Sequence, residues 1–111
     1  MNAITRIALA LCASFAACLP ATAQDSAVDL LEVKRCYICH EMTQTIIGPP
    51  YAAIAARHGQ RRDVMTEVLA RKIVNGGGGN WGLVPMVPNQ WVSLDEARTM
   101  ADWILSLNAE Q

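Results

Sequence analysis

The stretch Cys36-Tyr37-Ile38-Cys39-His40 decides how the rest of this sequence is interpreted. Two thiols separated by two residues and followed at once by a histidine form the attachment motif of c-type haem. One helical turn brings both sulfurs to the same edge of a porphyrin, where each can add to a vinyl group. The motif therefore predicts that Cys36 and Cys39 bind haem c covalently and that His40 is an axial ligand of its iron.

Three other interpretations of the two cysteines stay open at this point. A redox dithiol is expected within a thioredoxin-like βαβ pattern, and the sequence has no such pattern. A zinc site needs a second pair of ligands, and His58 is the only histidine outside the motif. An ordinary disulfide would close a loop of only two intervening residues, which strains the bridge.

The first two dozen residues are typical of an export signal. Arg6 supplies a positive start, and residues 7–18 are apolar over a length too short to span a bilayer comfortably. Residues 21–23 read Ala-Thr-Ala, the small-residue pattern of a cleavage site. We therefore expect a signal peptide over residues 1–23 and a periplasmic location. A retained membrane anchor and lipoprotein processing at Cys18 are the alternatives.

Removal of residues 1–23 changes the charge and the cysteine content of the remaining domain, residues 24–111. The chain has nine Lys+Arg and ten Asp+Glu, a net charge of −1, and the loss of Arg6 makes it −2. Of its four cysteines only Cys36 and Cys39 remain, so no disulfide framework stabilises this small exported domain. A large buried cofactor would complete its core. The small net charge argues against nucleic acid as a partner.

Residues 24–111 predict one all-α domain of about four helices. Apolar residues recur at helical spacing, and no segment alternates with the period of a strand. Ser26 with Asp29 resembles a helix start, and Ser93 with Glu96 forms a capping box. The predicted helices run from about 27 into the CxxCH motif, from 51 to 57, from 62 or 63 to about 74, and from 93 to about 107.

Two of these helices have a predicted buried face. The third helix carries an apolar stripe of Val64, Val68, Leu69 and Ile73. The inner face of the last helix is expected to consist of Leu94, Ala97, Ala101, Ile104 and Leu105. Met65 and Met100 lie within helical patterns and are expected to be packing residues.

Met86 is the best candidate for the second axial ligand. It lies in the loop Pro85-Met86-Val87-Pro88, where the flanking prolines restrict the backbone. Met42 is too close to His40 to reach the other face of a haem. A His/Met pair occupies both axial positions and raises the reduction potential, because a soft thioether stabilises reduced iron. We therefore expect an electron carrier and not an enzyme.

The chain resembles the small bacterial class I cytochromes c of the c-551/c-552 type. The resemblance rests on the order of CxxCH, a Gly-Pro, a helix that ends in Asn-Gly, the segment from Asn80 to Asn89, and a helix that begins Ser-x-Asp-Glu-Ala. It implies a class I cytochrome c fold around one haem c. It also implies a monomer that carries single electrons in periplasmic respiration and meets redox partner proteins transiently at the exposed haem edge.

The resemblance also implies roles for four residues around the haem. Pro49 matches a proline whose carbonyl accepts a hydrogen bond from the proximal histidine, which raises ligand basicity. Trp81 matches an indole that donates to a haem propionate, and Lys72 matches a cation at the same propionate. Asn89 matches an asparagine that orients the sulfur of the axial methionine. Trp103 matches a core aromatic residue.

Other features have simpler interpretations. We interpret the glycine run from Gly76 to Gly79 as a flexible connector. The cluster Arg57, His58, Arg61 and Arg62 is expected to be a solvated surface. A haem sensor or peroxidase with a displaceable sixth ligand remains the alternative function, although no spare histidine lies near the methionine loop.

Overall fold

The computed structural model describes residues 17–20 and 22–110, and this part of the chain is helical. Its α-helices are α1 (Ala23–Val33), α2 (Tyr51–His58), α3 (Arg62–Asn75) and α4 (Leu94–Ser106). Short 3₁₀ turns cover Cys36–Ile38, Gly59–Arg61 and Leu107–Glu110. The described residues form no strand beyond two isolated bridges, so the all-α prediction is confirmed. None of the described helices combines the length and apolar character needed to cross a membrane.

Helix α4 is the centre of the domain, since α1, α2 and α3 all pack against it. Its predicted capping box is present: the Glu96 N–H donates to Ser93 Oγ at 3.1 Å, and the Ser93 N–H donates to Glu96 Oε2 at 2.9 Å. Such a cap satisfies two backbone donors that a helix leaves without partners. The buried residues of α4 are Ala97, Met100, Ala101, Trp103, Ile104 and Leu105. The predicted inner face is therefore confirmed, and Leu94 packs partly buried beside it.

Helix α1 starts and ends earlier than predicted. Thr22 caps it through a capping box with Asp25, so the helix begins at Ala23 instead of near residue 27. It stops at Val33 and does not continue into the CxxCH motif, because Arg35 has left-handed backbone angles (φ 64°, ψ 31°). Most of the predicted signal peptide, residues 1–23, lies outside the described residues.

Helix α3 is rotated relative to its predicted apolar stripe. Leu69 and Ile73 pack against the core as expected. Val64 and Val68 do not, because they are 58% and 46% exposed, while Met65 is only 8% exposed. The packing role predicted for Met65 is therefore confirmed, and the predicted burial of the two valines is wrong.

Core packing and ion pairs agree with this orientation of α3. Met65 and Ala70 are the buried residues of the helix. Arg62 donates from two nitrogens to the two carboxylate oxygens of Asp102, each at 2.7 Å, and Glu67 accepts from Arg98 Nε at 2.7 Å. Exposed pairs of this kind contribute at most about 1 kcal/mol each, so burial of the apolar side chains dominates and the bidentate pair adds geometric specificity.

Arg35 provides a test of this fold that depends on one backbone angle. It is the only residue other than glycine with a positive φ among the described residues. The left-handed conformation costs a residue with a Cβ roughly 1–2 kcal/mol, and glycine adopts it freely. We expect Arg35→Gly to raise the free energy of unfolding by about 0.5–1 kcal/mol, measured by guanidinium titration of the holoprotein.

The matched control is the same substitution within a helix. Arg71 lies inside α3, where glycine costs about 1 kcal/mol relative to good helix formers. Arg71→Gly should therefore lower the midpoint of unfolding while Arg35→Gly raises it. A loss of stability in Arg35→Gly would contradict the assignment of strain to this residue.

Candidate cofactor site

The segment after the CxxCH motif folds back and closes over it. The N–H groups of Ile47 and Gly48 donate to the Cys39 carbonyl at 3.3 and 2.7 Å. The Tyr51 N–H donates to the Glu41 carbonyl at 2.9 Å, which fixes the first residue of α2 against the chain that leaves the motif. These backbone bonds place residues 48–51 beside the imidazole of His40.

The imidazole of His40 is held by a hydrogen bond to Pro49. Its Nδ1 lies 2.7 Å from the Pro49 carbonyl oxygen, which can only accept, so Nδ1 carries the proton. The other ring nitrogen, Nε2, then keeps a lone pair that can bind a metal. This is the contact that the sequence predicted for Pro49. His40 itself is only 9% exposed.

Two further residues contact this imidazole, and the sequence analysis gave a role to neither. A Cβ on Gly48 would lie 2.5 Å from His40 Cε1 and 2.9 Å from Nδ1, so only glycine fits at this position. The Tyr51 ring lies nearly parallel to the imidazole, with centroids 5.5 Å apart and an interplanar angle of 21°. The Gly-Pro dipeptide that begins eight residues after His40 was the available signal for Gly48. No pattern distinguished Tyr51 from any other residue at a helix start.

All the residues that the sequence assigned to the site line one cavity of about 450 Å³. They are Cys36, Cys39, His40, Pro49, Lys72, Trp81, Met86 and Asn89. The volume is typical of a small-molecule or cofactor site. Arg35 and Lys72 are the charged side chains in its described wall, which contains no carboxylate and is otherwise largely apolar. A flat apolar cofactor with acidic substituents fits this wall.

The loop that carries Met86 is fixed to the end of α3. Gly77 and Met86 form a two-way bridge, with N–H to carbonyl distances of 3.0 and 2.7 Å. Gly76 has a φ of +72°, and a Cβ there would lie 2.6 Å from the Met86 carbonyl oxygen. The interpretation of the glycine run as a flexible connector is therefore wrong for its first half. These glycines allow the methionine loop to approach the helix closely.

Asn89 anchors the other end of the same loop. Its Nδ2 donates to the Ile73 carbonyl at 2.9 Å and to the Val87 carbonyl at 3.2 Å. Its backbone N–H lies 3.2 and 3.1 Å from the carbonyls of Ile73 and Val74. The side-chain amide of Asn89 thus donates to two carbonyls, and its predicted role in orienting the methionine sulfur stays a prediction. The observed bonds tie the loop to the last turn of α3.

Trp81 stands at the rim of the cavity and is supported from α2. The guanidinium carbon of Arg57 lies 4.8 Å from the centroid of the Trp81 ring, within cation–π range. Arg57 also donates to the Asn80 carbonyl at 2.7 Å. Lys72 lies near the same loop, because a Cβ on Gly77 would be 3.2 Å from its Nζ. Trp81 and Lys72, in the last turn of α3, therefore line the same cavity, and their contact with a propionate stays a prediction.

His58 belongs to this rim but not to the cavity wall. Its ring meets Trp81 edge to face at 6.5 Å, and its Nδ1 is buried without a hydrogen-bond partner among the described residues. Burial lowers the pKa of His58, and the nearby charges of Arg57 and Arg61 lower it further. Arg57, Arg61 and Arg62 are exposed, as predicted for a solvated surface, and His58 is half-buried. Within this cluster Arg57 and His58 contact Trp81, while Arg62 pairs with Asp102.

The cysteine pair does not have the properties of a redox dithiol. Burial raises the pKa of the Cys36 thiol, and the adjacent Cys39 raises it further. A reactive dithiol needs the opposite, a thiol whose pKa is lowered toward neutrality. No group of three His, Cys, Asp or Glu side chains that could hold a metal ion was found within residues 17–20 and 22–110. The zinc interpretation finds no support in this part of the chain.

Helices packed around a cavity that presents two cysteines, a histidine and a methionine define a c-type cytochrome of class I. No family model matches the sequence. The chain is 38% identical over 78 residues to cytochrome c-551 of Azotobacter vinelandii, an alignment that covers 70% of this chain and 93% of that protein. It is 44% identical over 78 residues to cytochrome c-552 of Hydrogenobacter thermophilus, covering 70% and 78%.

The structural comparison agrees with these relatives. The crystal structure of wild-type cytochrome c552 from Nitrosomonas europaea superimposes with a TM-score of 0.67 at 40% identity. The alignment covers 72% of this chain and 98% of that chain. The chain therefore belongs to the small bacterial cytochromes c of the c-551/c-552 type. The predicted class I cytochrome c fold is confirmed, and the cofactor is one covalently bound haem c, whose attachment motif Cys36 and Cys39 fit.

Gly76 and Gly79 both have a positive φ, and comparing alanine substitutions at the two distinguishes the effect of close packing on stability from the effect of backbone strain. Alanine at Gly76 is expected to lower the free energy of unfolding by about 1–2 kcal/mol through the backbone conformation. The contact with the Met86 carbonyl should lower it by about 1–3 kcal/mol more. Gly79 has a φ of +88° but nothing within 4 Å of its Cβ position, so alanine there has only the energetic cost of the backbone conformation. We expect Gly76→Ala to lower the free energy of unfolding by clearly more than Gly79→Ala in denaturant titrations. Equal losses would contradict the close approach.

His58 predicts a pH dependence of stability. Because the pKa of His58 is lowered in the folded state, the unfolded state binds more protons below its ordinary pKa of about 6.5. Stability is then fully present above that value and falls as the pH decreases through it. We expect the free energy of unfolding to drop less between pH 7.5 and 5.5 in His58→Gln than in the wild type. An identical drop in both proteins would remove His58 as the cause.

Proposed function

We propose that the protein carries single electrons in periplasmic respiration, with its haem iron bound axially by His40 and Met86. The observation that supports this most directly is that both side chains line the same cavity, each on a segment fixed by backbone hydrogen bonds. When bound, haem supplies a one-electron couple between ferrous and ferric iron. No enzymatic step is needed for this function.

Each residue proposed to bind the haem or its iron has a distinct role. Cys36 and Cys39 hold the haem through thioethers at one edge of the cavity. His40 presents Nε2 to the iron, because its Nδ1 proton is directed to the Pro49 carbonyl at 2.7 Å. Met86 supplies a thioether sulfur, which favours reduced iron and raises the reduction potential. With both axial positions filled by the protein, the site exchanges electrons and not substrates.

The rim residues complete the proposed binding of haem. Trp81 has an indole N–H donor that suits a propionate, and Lys72, in the last turn of α3, adds a positive charge beside the same loop. The guanidinium group of Arg57 packs over the Trp81 ring and supports it. Asn89 acts on Met86 by anchoring its loop to α3 through the Ile73 carbonyl.

The mouth of the cavity is the proposed docking surface for redox partners. Exposed apolar side chains lie near it, with exposed fractions of 54% for Ile47, 63% for Val84 and 62% for Val87. Small, weak interfaces of under about 1,200 Å² are usual for electron-transfer encounters. The carrier is proposed to be a monomer.

The proposed location follows from the export signal predicted in the sequence. Signal peptide removal after residue 23 would release residues 24–111 into the periplasm. Lipid attachment at Cys18 is the alternative, and it would keep the same domain at a membrane surface.

Met86→Ala tests the proposed ligand set. The oxidised wild type should show a weak methionine-to-iron absorption band at the red end of its spectrum, and the variant should lose it. Its reduction potential should also fall, because the thioether no longer stabilises reduced iron. Absorption spectroscopy and voltammetry of protein from a haem-maturing host measure both effects.

Met42→Ala is the matched control, because Met42 is partly exposed and lies two residues after His40. It should keep the band and the potential. An unchanged spectrum in Met86→Ala would disprove its ligation, and a high-spin spectrum in the wild type would indicate an open sixth position.

A further inference from the structure

Tyr51 lies against the proximal histidine and is rigidly placed. It is 1% exposed, and its ring lies 5.5 Å from the His40 ring at an interplanar angle of 21°. Its backbone is fixed as well, because it begins α2 and donates its N–H to the Glu41 carbonyl at 2.9 Å. Neither the main chain nor the ring of Tyr51 is free to follow a movement of the imidazole.

Two other aromatic rings hold Tyr51 in this orientation. Trp103 meets it edge to face from α4, at 6.2 Å and 76°. Tyr37, within the CxxCH motif, meets it at 5.7 Å and 82°. Edge-to-face contacts at these distances are favourable and directional. The orientation of the Tyr51 ring is therefore set by the central helix and by the motif together.

The hydrogen bond to Pro49 alone does not define the plane of the imidazole. Donors approach a carbonyl oxygen over a broad range of directions, so the ring can tilt appreciably while the bond persists. A stacked ring restricts this tilt, because a rotated imidazole would either collide with Tyr51 or lose contact with it. The contact with Gly48 lies on the same imidazole and leaves no room for a side chain there.

We propose that Tyr51 is a positioning residue for the axial ligand, and that its stacked ring sets the plane of the His40 imidazole relative to the haem. This rests on the proposed function, because it takes His40 as an axial ligand. The plane of an axial imidazole determines which iron d orbital it overlaps. Tyr51 therefore acts on the electronic structure of the oxidised iron through His40, without touching the iron.

The hydroxyl of Tyr51 is separate from this role. It is buried and has no hydrogen-bond partner among the described residues. Tyr51→Phe removes the hydroxyl and keeps the stacked ring, whereas Tyr51→Leu removes the ring plane and keeps an apolar side chain. The pair of variants distinguishes stacking from hydrogen bonding.

The experiment compares the proton NMR shifts of the haem methyl groups in the oxidised holoproteins, since these shifts report the orientation of the axial ligands and Tyr51 stacks on His40. Tyr51→Phe should keep the order and spread of the wild-type methyl resonances, and Tyr51→Leu should change them. Voltammetry should show a shifted midpoint potential in Tyr51→Leu alone. Met100→Val, in the fully buried core of α4 and outside the cavity wall, is the control for loosened packing and should keep the pattern.

Each outcome has one meaning. Unchanged methyl shifts in Tyr51→Leu would overturn the proposal, and so would equal changes in Tyr51→Phe and Tyr51→Leu. If Tyr51→Leu does not retain haem, Trp103→Leu decides: loss of the ring that supports Tyr51 should change the wild-type methyl pattern, and an unchanged pattern would overturn the proposal. A wild type without the methionine band would refute the proposed ligand set, whereas a wild type with the band and an insensitive Tyr51→Leu refutes only the role of Tyr51.

Discussion

The hydrogen bond between His40 Nδ1 and the Pro49 carbonyl is the constraint on which the site depends. It requires the chain to return to the CxxCH motif within nine residues, and the backbone bonds of Ile47 and Gly48 to the Cys39 carbonyl achieve that return. Helix α2 begins at Tyr51, two residues after Pro49, with Pro50 as its N-cap. The same short segment therefore supplies the carbonyl that binds the imidazole and the side chain that stacks on it.

The rest of the fold holds the loop that carries Met86 at a fixed distance from the segment that carries His40. Helix α4 contacts every other α-helix of the described chain, and it is joined to α3 by ion pairs as well as by packing. The end of α3 in turn fixes the methionine loop, through the bridge between Gly77 and Met86 and through Asn89. The two loops that carry the proposed ligands therefore belong to one rigid framework, although they lie far apart in the sequence.

Local signals in the sequence were sufficient for much of this arrangement. The capping box at Ser93 located the start of α4, because its two hydrogen bonds involve residues only three apart. The CxxCH motif and the Pro-flanked Met86 identified the site, since covalent and ligand chemistry demand specific residue types. Pro49, Lys72, Trp81 and Asn89 were assigned through the family resemblance, and they line the same cavity as the residues of the two motifs.

The features that the sequence did not predict depend on contacts between distant segments. Val64 and Val68 have the spacing of a buried stripe, but α3 packs through Met65 and Ala70 and pairs with Asp102 and Arg98 on another helix. The close approach of Gly76 to the methionine loop is invisible without the position of Met86. Arg35 was not recognised as the end of α1, because a left-handed arginine contradicts residue preference and is imposed by the need to turn into the motif.

Rigid placement of both proposed ligands is what fast one-electron exchange requires. The rate of electron transfer falls as the nuclear rearrangement between the two redox states grows, so ligands that keep their positions in both states lower the barrier. Pro49, Gly48 and Tyr51 restrict the imidazole by a hydrogen bond, by close contact and by stacking, each a different kind of interaction. The backbone of Met86 is restricted by its pairing with Gly77 and by the flanking prolines. Only its side chain can then adjust. A site that had to admit a substrate would need the opposite, a ligand loop that could open, and the contacts of Gly76 and Gly77 with the methionine loop oppose such an opening.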